Sequence, residues 1–132
     1  MTTTEAVQAW LALEHEAVWL YPVIGARHGE DREQATSSFE VHRVTRDRLL
    51  ARLREIGVEP VAPRLTYGRP VTTRAKARGR ARSVEDRIAA ACVALAAESD
   101  GATRALAVKE LRRAALAAQA WGGDPEAFPG LA

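Results

Sequence analysis

VEPVAPRLTYGRPV, residues 58–71, places Pro60, Pro63 and Pro70 and the turn residue Gly68 in one short run. A helix cannot pass through such spacing, because each proline lacks an amide hydrogen and pushes the residue before it toward extended backbone. The run is therefore an extended connection, long enough to cross over rather than make a tight hairpin. It divides the chain into two halves, and each half reads as a pair of helices.

On the near side, the first helix is expected from about Thr4 to Gly25 or His28, with Thr2-x-x-Glu5 in capping-box form. Ala6, Val7, Trp10, Glu14, Ala17, Tyr21 and Ile24 share one of its faces. Pro22 is expected to kink it or end its regular part. The second helix covers about Gln34 to Ile56, with Gly57 in the C′ place. Its stripe of Ala35, Phe39, Leu49, Leu50, Leu53 and Ile56 admits His42 and Arg46.

Beyond the connection, a third helix is expected from Thr72 or Thr73 to about Ser99. Ala77, Ala81, Val84, Ile88, Ala91, Cys92 and Leu95 make its stripe, with Glu85 at the margin. A fourth runs from about Ala102 to Trp121, with Leu106, Ala107, Glu110, Ala114 and Ala117 inward and Gly122-Gly123 as its stop. The tail Asp124–Ala132 is expected to pack back through Phe128. No strand-like alternation persists, so the fold expected is all-α, one domain spanning residues 1–132. It is a four-helix bundle in up-down-down-up order, with the crossover near residues 57–72 joining helices two and three.

The chain is large enough to bury a core. Its charge of +2 conceals segments of net −5 (residues 1–40), +9 (41–82) and −2 (83–132). The lone Cys92 excludes an internal disulfide and reads as an inert core thiol in a reducing compartment. No signal peptide or membrane-spanning run is apparent, which gives the expectation of a cytoplasmic protein with no membrane partner. Glycine-rich phosphate loops, Ser-His-Asp sets and Cys-x-x-Cys pairs are also lacking, so an enzyme is not the favoured reading.

What stands out is polar chemistry inside apolar stripes. Glu14, His42, Glu85 and Glu110 each fall on or beside the inner face of a different helix, and an unpaired buried charge is costly. Arg46, one turn after His42, and Arg113, flanking helix four, can supply the counter-charge. Glu14 and Glu110 are then expected to pair with Arg46, while His42 hydrogen-bonds into the same network.

The helix order, the long second connection and the stretches Leu13-Glu14-His15-Glu16-Ala17, His42-Arg43-x-x-Arg46-Asp47 and Glu126-Ala127-Phe128-Pro129-Gly130-Leu131 carry a resemblance. Over nearly its whole length the chain resembles a family of small bacterial ferritin-like proteins of unknown function. That resemblance implies a ferritin-like four-helix bundle and no established activity. The wider ferritin-like metal pattern has Glu on helices one and three and Glu-x-x-His on helices two and four. Glu14 and Glu85 match the first two. Helix two offers Phe39-x-x-His42 and helix four Glu110-x-x-Arg113, so a carboxylate and an imidazole are replaced.

The function expected is a non-catalytic, dimeric structural or interaction protein with a degenerate metal site and no cofactor. One alternative is a redox protein holding iron or manganese through Glu14, His42, Glu85 and Glu110. The other is a nucleic-acid or polyanion binder using the run Arg69–Arg82, in which Arg69, Arg74, Lys76, Arg78, Arg80 and Arg82 are basic and no residue is acidic. The homodimer is expected to form through Leu11, His15, Val18 and Trp19, which lie off the core face of helix one.

Overall fold

Thr2 starts the first helix by accepting a hydrogen bond from the Glu5 amide while Glu5 reaches back to the Thr2 amide, the reciprocal box expected there. The structure, a computed structural model, describes residues 1–131. Among them are four helices and no strand: α1 (Thr3–Arg27), α2 (Arg32–Glu55), α3 (Arg74–Glu98) and α4 (Gly101–Ala120), with a 3₁₀ turn at Gly29–Asp31. Ala132, the end of the tail, lies outside the described residues. Helix α1 neither ends nor breaks at Pro22, whose ring points to solvent. Ile56, placed in the α2 stripe by its spacing, follows the helix end and is exposed.

Side-chain bonds between helices give their directions. Thr3 at the start of α1 bonds to the Glu98 carbonyl at the end of α3, and Tyr21 reaches Glu85, so these two helices run antiparallel. Arg52 donates to Thr103, and Gln34 to the Ala120 carbonyl, which makes α2 antiparallel to α4. No Cα of α2 comes within 8 Å of one on α4, so long side chains bridge that gap. Trp10, Tyr21, Leu20, Leu53, Ile88, Leu95 and Trp121 fill the centre.

Residues 57–73 cross the outer side of α1. The Gln8 carboxamide donates to the Glu59 carbonyl and accepts from the Val61 amide, each at 2.8 Å. His15 Nε2 lies 2.9 Å from the Val61 carbonyl. Burial, opposed by that bond, lowers the His15 pKa, and the neutral ring donates to the carbonyl through Nε2–H. Trp19 packs against Tyr67 with ring centroids 5.8 Å apart. This corrects the expected dimer face: Leu11 is buried in the core, His15 is buried against the chain's own crossover, and Val18 and Trp19 are half-buried beside it. Helical periodicity shows which side faces away from the bundle; it does not show what a loop then covers.

The tail is also corrected. Phe128 is 72 % exposed rather than packed inward. Contact is made instead by Gly130, at φ +82°, where an added Cβ would stand 2.8 Å from the Ala89 carbonyl oxygen.

Asp31, unremarked in the sequence, is buried where α2 and α3 begin. It accepts two bonds from Arg74, each at 3.0 Å, and one from Arg78 at 2.9 Å. The hydrogen bonds from Arg74 hold its carboxyl below the ordinary value. Asp31→Ala is expected to lower Tm by several degrees without changing helix content at room temperature, because two guanidinium groups lose their shared acceptor. Thermal melts followed by circular dichroism read this, and an unchanged Tm would show that the cluster is only a surface contact.

Candidate functional site

Glu14 follows Trp10 by four residues on the inner face of α1, which brings the indole Nε1–H to 2.9 Å from Glu14 Oε1. Across the bundle, α2 presents His42. Its Nδ1 lies 2.5 Å from Glu14 Oε2 and its Nε2 lies 2.6 Å from Glu85 Oε1 on α3. Tyr21 Oη donates to the same Glu85 oxygen at 2.6 Å, and its ring stacks on His42 at 5.4 Å. Glu14, His42 and Glu85 have no exposed surface. Glu85, expected at the margin of α3, is thus fully inside.

An ionised carboxylate only accepts, so an imidazole between two of them is satisfied when both its nitrogens carry protons. Burial alone would lower the His42 pKa. The Glu14 charge and the hydrogen bonds to both carboxylates outweigh it and raise the value to about 9. Burial likewise works against ionised Glu85, yet bonding to His42 and the nearby Arg113 charge leave its pKa below 4.5. Burial, and then the Glu85 charge, raise the Tyr21 pKa well above 10, so its phenol remains a donor.

Helix α4 closes the network. Arg113 donates from Nε to Glu110 Oε2 at 2.8 Å and from one terminal nitrogen to Glu85 Oε2 at 3.2 Å. Its other terminal nitrogen is buried without a partner among the described residues. Three carboxylates thus meet two cations in one chain of contacts linking all four helices.

The structure therefore brings Glu14, His42, Glu85, Glu110 and Arg113 together and leaves Arg46 out. Arg46 pairs with its neighbour Asp47 at 2.9 Å. The buried positions of α2 run through His42, Thr45, Leu49 and Leu53, and that spacing turns Arg46 to the edge. The partners assigned to it by sequence are met by His42 and Arg113. Trp10 and Tyr21 enter as donors that sequence reasoning treated only as core; their one-turn and two-turn spacing from Glu14 was the available signal.

A metal fits these residues poorly. Phe39 supplies no donor and packs half-buried against the core. Both His42 nitrogens face carboxylates, and a guanidinium stands between Glu85 and Glu110. Among the described residues no three His, Cys, Asp or Glu side chains are arranged to hold an ion. Cys92 is buried, and burial raises its pKa, so it contributes neither thiolate nor ligand.

The basic run is largely engaged within the fold. Arg74 and Arg78 hold Asp31; Arg80 donates to the Tyr67 and Arg69 carbonyls, and Arg82 to that of Trp121. Arg78 also lies over the Trp121 ring, 5.1 Å from its centroid. Within the run, only the Lys76 and Arg69 side chains make neither an ion pair nor a hydrogen bond among the described residues.

Residues 6–132 match the family described as Domain of unknown function (DUF4439). The chain belongs to the DUF4439 family. The motif resemblance implies an uncharacterised family, and the match agrees at that level. Among solved structures, the DUF4439 chain is similar to a conserved hypothetical protein, rv2844, from Mycobacterium tuberculosis. The two share 25 % identity over 96 % of each chain, with a TM-score of 0.84. No curated protein matches. Among the described residues of this DUF4439 domain, no helix is long and apolar enough to cross a membrane.

Proposed function

We propose that this domain is a ferritin-like bundle whose metal position has become a closed ion-pair network, and that it serves as a non-catalytic structural or binding module. The crossover between α2 and α3, the antiparallel helix pairs and the inward Glu14, Glu85 and Glu110 support the ferritin-like assignment. One observation carries the loss of metal chemistry: both nitrogens of His42 are taken up by carboxylates. An imidazolium has no lone pair to give an ion, and Arg113 adds a second fixed cation where a metal's charge would stand.

Elemental analysis by ICP-MS after expression in metal-rich medium tests the reading. The expected result is no stoichiometric iron, manganese or zinc. One or more ions per chain, lost in Glu110→Ala, would overturn it in favour of a redox protein. Nitrogen-15 NMR of the purified domain adds an independent readout, with His42 expected to hold both ring protons at neutral pH.

A further inference from the structure

The crossover does more than cover α1. Between it, α1 and α2 lies an open cleft of about 530 Å³, within the ~300–1,000 Å³ usual for small-molecule sites. Val18, Trp19 and Leu50 line it from the helices, and Pro60 and Pro63 from the crossover. Its shape is held rather than loose: the Gln8 and His15 bonds anchor residues 59–61, and Tyr67 is buried with its hydroxyl accepting from the Arg64 amide at 2.8 Å.

Its charge is one-sided. Arg46, Arg54 and Arg64 line the cleft, against the single acid Glu59. Arg54 and Arg64 make no ion pair among the described residues, and the partner of Arg46, Asp47, lies outside the lining. His15 adds no charge at neutral pH. A guanidinium is weakly hydrated and forks onto carboxylate or phosphate oxygens, so unpaired arginines beside an indole suit a ligand with an acidic head and a flat apolar body. A neighbouring cleft of about 570 Å³ beyond Tyr67 is also basic, with Arg64, Arg69 and Lys76 free of ion pairs among the described residues, but Trp19 does not line it, so it lacks the indole face for a flat body.

We propose that the cleft between the crossover and the α1–α2 pair binds a small organic anion, an aromatic or similarly flat body bearing one carboxylate or phosphate group. The inference does not depend on how the internal network is read, because none of the network residues lines this cleft.

Anilinonaphthalene sulfonate is a suitable probe, with the neutral phenylnaphthylamine as its uncharged counterpart. Calorimetry is expected to give one site per chain, and NMR titration to shift the Trp19 indole N–H. The double variant Arg54→Gln/Arg64→Gln should weaken the sulfonate roughly tenfold or more while leaving circular dichroism unchanged, the loss of two charge-assisted contacts. Equal affinity for the uncharged counterpart would overturn the proposal. So would indifference to the double substitution, absence of binding, or shifts confined to the separate groove that Leu49, Leu95 and Leu106 line.

Discussion

His42→Ala is expected to destabilise the domain by about 3–5 kcal/mol at neutral pH, the range for removing one partner from a fully buried ion pair. The imidazolium lies between Glu14 at 2.5 Å and Glu85 at 2.6 Å, and all three side chains are sealed from solvent. Without it two carboxylates face a cavity. Trp10 still serves Glu14, and Tyr21 and Arg113 still serve Glu85, so their hydrogen bonding is partly met while the counter-charge is not. The variant should meet that deficit by binding protons. A carboxyl whose folded pKa is raised contributes stability at low pH and loses it as pH rises, so the gap to wild type should narrow toward pH ~5. Urea denaturation at two pH values measures both effects. A loss under about 1 kcal/mol, or one that does not change with pH, would mean that His42 is not the counter-ion of these acids.

Much of this was open to a reader of residues alone. Periodicity places Glu14, His42 and Glu110 inside the bundle, since each recurs with apolar neighbours three or four positions away. Pro60, Pro63 and Pro70 locate the crossover because their effect on the backbone is local. Pairing is different. Arg46 and Arg113 are equally plausible partners by charge and spacing, and the choice depends on which way α2 is rotated against α1 and α4. Here α2 turns Thr45 rather than Arg46 inward between His42 and Leu49, and that decides it. Trp19 and His15 illustrate the other limit. Their outward side is correct for α1 in isolation, yet the segment that covers them begins some forty residues later and is held through Gln8, His15 and Arg80. Asp31 was hidden for the same reason: its role exists only once Arg74 and Arg78 arrive from α3.

The network also predicts the shape of the wild-type stability profile. His42 is raised from 6.5 to about 9, so its folded form holds a proton that the unfolded chain has already released in that interval. Its contribution is complete below pH 6.5 and is lost as pH rises through about 9, amounting to about 3 kcal/mol across the window at 1.36 kcal/mol per pKa unit. Glu85 acts on the other side: its pKa lies below 4.5, so its contribution is present above that value and fades as pH falls. His15, lowered by burial, titrates below 6.5, while Tyr21 and Cys92, both raised, affect stability only from about their ordinary values upward. The descent between pH 6.5 and 9 therefore belongs to His42. In His42→Gln the neutral amide can still donate to one carboxylate but cannot titrate, and that descent should flatten although the variant is less stable throughout. Denaturation midpoints across the interval decide it: a descent of the same size in His42→Gln would assign the titration to another group, and a flat wild-type profile would mean that His42 is neutral in the folded state.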